Sequence, residues 1–251
     1  MRPSIQIFPV GGIGDVVPGQ DISALILAGL AHSAITLEPG DIIVVTQKIV
    51  SKAEGRLVDP RTVTPSHIAE MCAAQGHKDA CYYEVVLRES KRIIRMDRGV
   101  LICETHHGLI CANAGVDESN VDGGTHITLL PVDPDASARG IAAGVSNAIG
   151  VTPAVIITDS FGRAWREGQV NIAIGVAGIN PLEDYAGQDD PFGYRMQASV
   201  LAIGDEIAAA AELVMGKTDR IPVAVVRGVT YQTSPSAASA LIRPANKDLF
   251  R

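Results

Sequence analysis

Apolar residues in this chain come in short unbroken runs, and between them lie polar, glycine-rich blocks. Runs of about four to eight aliphatic residues bounded by turn formers read as buried strands. On this pattern strands are predicted at Ser4–Phe8, Asp41–Thr46, Tyr82–Arg88, Arg92–Arg95, Val100–Cys103, Gly108–Cys111, His126–Leu130, Ala154–Thr158, Asn171–Val176 and Pro222–Arg227. Helices are predicted at Asp21–His32, Pro65–Gln75, Pro134–Ala148, Met196–Met215 and Ser236–Ile242. Asp133 before Pro134 offers a capping oxygen followed by a residue with no N–H to lose. Gly216 after AAAAELVM reads as the stop of the longest helix. The stretch from Tyr82 to Leu130 looks antiparallel and strand-rich, whereas the flanks alternate strand and helix irregularly. No repeat, linker or low-complexity tract divides the chain. The expected fold class is α+β: one interlocked module over residues 1–251, in two lobes whose boundary the sequence does not assign.

Composition narrows the possibilities. The 251 residues are 47% hydrophobic but only 4% aromatic, so the interior is built from Ala, Val, Ile and Leu. A net charge of −7 argues against nucleic acid as the main partner, since that footprint is normally basic. It leaves room for a single nucleotide, whose charge a few lysines and a metal can offset. The start MRPSIQIF shows no signal-peptide pattern, and no apolar run reaches the ~20 residues of a membrane span. A soluble, cytoplasmic protein is expected. Cys72, Cys81, Cys103 and Cys111 show no C-x-x-C spacing. Cys103 and Cys111 lie in apolar runs and read as small buried hydrophobes.

Three polar blocks carry the candidate chemistry: Ser51–Arg56 (SKAEGR), Asn113–Asn120 (NAGVDESN) and Thr158–Arg163 (TDSFGR). Each follows a strand-like run: DIIVVTQKIV, GLICA and AVIIT. Carboxylate oxygens are hard ligands for Mg²⁺ or Mn²⁺, and a lysine is a point charge for phosphate. Asp117, Asp159 and Lys52 are therefore candidates for a metal-assisted nucleotide site, although either aspartate could serve merely as a turn acceptor or helix cap and Lys52 as a solvated surface charge. Asp159 before Ser160-Phe161-Gly162 suits an Asx turn. Gly216-Lys217-Thr218 resembles the end of a P-loop but fails as one. Ala211 stands where the first glycine belongs, and a helix rather than a strand precedes the motif, so the dipole points the wrong way. Gly11, Gly12 and Gly14 form a glycine turn that lacks a dinucleotide fingerprint, though its N–H groups could approach a phosphate. His106 and His107 flank a turn between strands and read as structural or solvated.

Taken together, the blocks resemble the coenzyme F420-0:gamma-glutamyl ligases. The resemblance is carried by PVGG at Pro9–Gly12, SKAEGR at Ser51–Arg56, NAGVDESNV at Asn113–Val121 and ITDSFGR at Ile157–Arg163. It continues through IAIGVAG at Ile172–Gly178, GDEIAAAAELVMG at Gly204–Gly216 and PVAVVRG at Pro222–Gly228. The matched order runs from about Ile5 to Gly228.

The resemblance implies a two-lobed family fold, an intertwined homodimer, and a GTP-dependent ligase that couples L-glutamate to F420-0 through an acyl phosphate, then adds a second, gamma-linked glutamate. It implies nucleotide contacts from Gly11, Gly12, Ile13, Gly14, Gln47, Lys48, Lys52 and Asn120. Met215, Gly216, Lys217, Thr218, Asp219, Arg220 and Ile221 would close over the nucleotide. Asp117 and Asp159 would hold one Mg²⁺ or Mn²⁺ and Ser160 a second, with K⁺ as a further cation. The chain departs from the family at Lys217, where some members carry an acidic ligand. Asp219 or a backbone carbonyl is the substitute, and the loop there looks one residue short. Gln47-Lys48 replaces a small hydroxyl pair. The stand-alone form, without an added flavin-binding domain, is expected. Two other readings remain: an amide ligase with a different carboxylate acceptor, and a nucleotide-binding protein without catalysis.

Overall fold

The computed structural model describes residues 4–119 and 125–249. In chain order the elements begin β1 (Gln6–Val10), α1 (Ile22–His32), β2 (Ile42–Thr46), α2 (Gln47–Ala53) and β3 (Leu57–Val58). Next come α3 (His67–Ala73), α4 (Ala80–Arg88), β4 (Ser90–Asp97), β5 (Val100–Thr105), β6 (Ile110–Ala112) and β7 (Ile127–Thr128). The remainder is α5 (Pro134–Ile149), β8 (Ala154–Arg163), β9 (Arg166–Ala177), β10 (Glu183–Asp184), β11 (Val200–Leu201), α6 (Ile203–Met215) and β12 (Val223–Arg227). Helices and mixed sheets together make an α+β fold.

The main sheet has the order β1-β12-β2-β8-β9, with β2 and β8 parallel and the other neighbours antiparallel. Its central strands are buried on both faces, which is why they read as unbroken apolar runs. Ile43, Val45, Val155 and Ile157 pack with Ile26 and Leu30 of α1 and Ile141 and Val145 of α5. Ile42, Val44, Ala154 and Ile156 pack on the opposite face with Ile207, Ala208 and Ala211 of α6. Asp133 caps α5 through the Ala136 N–H at 2.8 Å, as the Asp-Pro pair predicted. A third apolar cluster joins α3 and α4 to the antiparallel sheet β4-β5-β6. The β3–β7 ribbon and an Asp117–Thr128 bridge run beside it.

Several sequence expectations are corrected. Tyr82–Arg88 is helical and part of α4: Asp79 caps it through the Tyr82 N–H at 2.8 Å, and Tyr82, Tyr83, Val85 and Val86 share the buried face. Its aromatic and β-branched composition favours a strand, but packing on the β4-β5-β6 unit follows the helical period. Gln47–Ala53 leaves the strand and coils into α2, so Lys52 sits in the last turn of a helix. The block Thr158–Arg163 is no Asx turn, because β8 runs straight through it and pairs with β9. The long helix begins at Ile203, not Met196, since Val200–Leu201 pairs with Glu183–Asp184. Ser236–Ile242 contributes only a 3₁₀ turn at Ala238–Leu241. All four cysteines are free, with Cys103 fully buried and Cys111 partly so. Among the described residues no helix is long and apolar enough to cross a membrane.

Candidate functional site

The polar blocks converge because of how two strands end. β2 and β8 run parallel as far as Thr46 opposite Thr158. There β2 turns into α2, while β8 continues to Arg163. From Asp159 onward β8 therefore loses its neighbour on one edge and borders a crevice. A crevice beyond the carboxyl ends of parallel strands is where open α/β sheets generally take ligands. Here it forms a cavity of about 1160 Å³, with Ile13 and Gly14 after β1 on one side and Arg220, Ile221 and Pro222 before β12 on another. Lys48 and Lys52 of α2 line it, as do Asp117, Glu118 and Ser119 after β6.

Successive residues of a strand face opposite ways, so Asp159 and Ser160 serve two different walls. On the first wall, Lys48 Nζ forms an ion pair with Asp117 and donates to the Ser119 carbonyl at 3.0 Å. Asp117 also accepts the Ser119 N–H at 2.8 Å and the Ser119 hydroxyl at 2.6 Å. Burial alone would push the Asp117 carboxyl up, but Lys48 and Ser119 outweigh it and hold the group below its ordinary value. Asp159 lies deeper. Burial pushes its carboxyl up to about 6, against the opposing pull of the Ser160 N–H, Lys48 and Gln47. Gln47 is itself buried and anchored by the Ser51 hydroxyl at 2.7 Å.

This first wall suits a divalent ion. It offers hard carboxylate oxygens, and Asp159 is partly buried with too little positive charge around it. Among the described residues no group of three or more His, Cys, Asp or Glu gathers to form a complete cage. A divalent ion there would need further ligands from outside these two side chains.

The second wall is a closed ring of polar side chains. Ser160 Oγ donates to Asn171 Oδ1 at 2.6 Å, and Asn171 Nδ2 donates to Glu212 Oε2 at 2.7 Å. Lys217 Nζ lies 3.3 Å from Glu212 Oε1 and donates to Ser160 Oγ. Asn171 and Glu212 were missed in the sequence. The available signal for Glu212 was a lone charge near the end of the alanine-rich helix AAAAELVM; Asn171 opens the apolar run NIAIGVA midway along β9 and gave none.

Other expected residues fall as follows. Gly11 and Gly12 stand back from the cavity, with the Gly11 N–H donated to Ser33 Oγ at 2.9 Å and Gly12 packed on His32. Met215, Gly216, Lys217, Thr218, Arg220 and Ile221 line the cavity, and Arg220 pairs with Asp15 at 3.0 Å. Asp219 is not among the lining residues, and Asn120 lies outside the described residues. Gly216-Lys217-Thr218 follows the C-terminus of α6, as its failed P-loop pattern required. His106 and His107 bond the carbonyls of Arg88 and Pro131, in keeping with a structural role.

Comparison with known proteins adds a family to this geometry. Residues 12–228 match the family model described as F420-0:Gamma-glutamyl ligase. A relative from Methanothermobacter thermautotrophicus named coenzyme F420:L-glutamate ligase is 42% identical, over 98% of this chain and 99% of its own length. Relatives of the same name from Methanopyrus kandleri and Archaeoglobus fulgidus are 41% and 36% identical, over 99% and 98% of this chain and 98% and 96% of their own lengths.

Proposed function

Because the chain belongs to the F420-0:gamma-glutamyl ligase family, we propose that it couples L-glutamate to F420-0 in coenzyme F420 biosynthesis. It is a ligase that forms a carbon–nitrogen bond. In finer detail, GTP activates the acceptor carboxylate, and a second, gamma-linked glutamate follows the first. The observation that carries this reading is the convergence of three separate polar blocks on one cavity that holds Asp117 and Asp159 beside Lys48, Lys52, Lys217 and Arg220.

A free carboxylate is a poor acyl donor. Its oxygen attacks the γ-phosphorus of GTP, the bond to the bridging oxygen breaks, and GDP leaves behind an acyl phosphate. The glutamate amine then attacks the acyl carbon, loses a proton and expels inorganic phosphate. Lys48, Lys52, Lys217 and Arg220 place positive charge around the phosphates, and the work is alignment and charge compensation rather than covalent catalysis. Asp117 and Asp159 would hold a Mg²⁺ or Mn²⁺, which would supply positive charge to offset that of the phosphates. The cavity's one thiol, Cys111, fits this scheme: burial and the nearby Asp159 push it up to about 12, so it stays protonated and is no nucleophile.

A second copy of the chain is the proposed partner. Phe192 and Tyr194 between β10 and β11 are 95% and 66% exposed, which supports an apolar arm meant for burial. The test of function is mass spectrometry after incubation with GTP, Mn²⁺, L-glutamate and F420-0. A product heavier by one or two glutamyl units, appearing with GDP, is expected. An unmodified acceptor despite GTP binding would refute the acceptor assignment.

A further inference from the structure

We infer that Lys217 is a built-in cation: its ammonium occupies the ring of Ser160, Asn171 and Glu212 in place of a second metal ion. The inference rests on the nucleotide–metal reading above and concerns only the wall opposite the Asp117–Asp159 pair.

The hydrogen-bond directions in the ring follow from one fact. An ammonium can only donate, so Ser160 Oγ must accept from Lys217 and pass its own proton to Asn171 Oδ1. Asn171 is thereby oriented with its amide nitrogen toward Glu212 Oε2, and the other Glu212 oxygen faces Lys217 at 3.3 Å. Every oxygen turned toward the Lys217 nitrogen is an acceptor. That is the lining a hard metal ion would require, and it is already filled by a charge of the chain's own.

Supply of that charge is built into the backbone. Gly216 ends α6 with φ 60° and ψ −176°, a conformation essentially restricted to glycine, and the chain turns there toward the cavity. The Lys217 side chain is 60% exposed and lines the cavity, so it remains accessible to a ligand. Two of its three N–H donors are engaged in the ring, which leaves one for an anionic oxygen of the nucleotide. Residues 159 and 160 thus divide the labour between the two faces of β8: a bound divalent ion on one side, a tethered ammonium on the other.

The decisive experiment counts Mn²⁺ by electron paramagnetic resonance in the full chain, with and without the nonhydrolysable analogue guanylyl imidodiphosphate. Wild type should bind one analogue-dependent Mn²⁺ per chain. Lys217→Asp, which replaces the ammonium with a carboxylate, should bind two. Lys217→Met should keep a single Mn²⁺ but lose about tenfold in analogue affinity, as expected for removing one charge-assisted contact. Two Mn²⁺ per wild-type chain would overturn the inference, and so would one in Lys217→Asp or an unchanged affinity in Lys217→Met. A wild type with no analogue-dependent Mn²⁺ would instead refute the nucleotide–metal reading, and the inference with it. Melting curves of both variants verify folding, which substitution at this exposed side chain should leave intact.

Discussion

Replacing Gly216 by alanine tests whether backbone geometry at the end of α6 controls the proposed nucleotide site. At φ 60° and ψ −176° a side chain costs about 1–3 kcal/mol. The new Cβ would also stand 2.2 Å from Asp219 Oδ2. Asp219 is exposed and can swing aside, so the backbone term remains as the principal cost. For a chain of this size each kcal/mol lowers Tm by roughly 2–4 °C, giving a fall of about 2–12 °C if the loop keeps its shape. If the loop relaxes instead, Tm is spared but Lys217 leaves Ser160 and Arg220 leaves Asp15. In that case KM for GTP should rise about tenfold or more. Steady-state kinetics at varied GTP, paired with calorimetry, separates the two responses. Gly140→Ala serves as the control, because it sits within α5 with nothing inside 4 Å of the new methyl. That change should leave KM alone and stabilise slightly, by about 0.5–1 kcal/mol. A Gly216→Ala enzyme matching wild type in both KM and Tm would refute the reasoning.

Four other outcomes are expected. Gly175→Ala places a methyl 2.5 Å from the Pro134 backbone, and because backbone cannot yield as a side chain can, a loss of about 1–3 kcal/mol should appear in urea unfolding. Arg227→Met strands Asp41, which is 1% exposed and bonded to Arg227 at 2.7 and 2.8 Å, and should cost about 3 kcal/mol by the same measurement. With its thiol pushed up to about 12, Cys111 stays protonated at pH 8, below that value, so iodoacetamide should label it far more slowly in the folded protein than after unfolding, as read by peptide mass mapping. Asp159→Asn should lower turnover by at least about a hundredfold, and calorimetric titration should show Mn²⁺ affinity weakened even when nucleotide is present.

The strands of the main sheet were legible because burial on both faces leaves an unbroken apolar run, as in IIVVT and AVII. Capping chemistry fixed the start of α5, and the helix before Gly216 disqualified the P-loop pattern. Asp117, Asp159 and Lys52 could be named as candidates because carboxylates and lysine suit metal and phosphate, but turn, cap and surface roles competed, and the resemblance across the blocks singled them out. Where sequence signals are local and weak, the reading slipped. Tyr82–Arg88 has strand composition, yet its burial on α3 and β5 obeys a helical period. Gln47–Ala53 continues an apolar run, and only the end of β2 pairing shows where it coils. Tertiary structure alone decided which residues meet. Asn171 and Glu212 are 41 residues apart, and Lys217 is 57 from Ser160, so no window of sequence contains their ring. The split of Asp159 and Ser160 between two walls likewise depends on β8 outrunning its parallel neighbour, since only an unpaired strand edge opens the cavity that both can reach. Local chemistry thus chose the groups, and long-range strand pairing set the distances that make them a site.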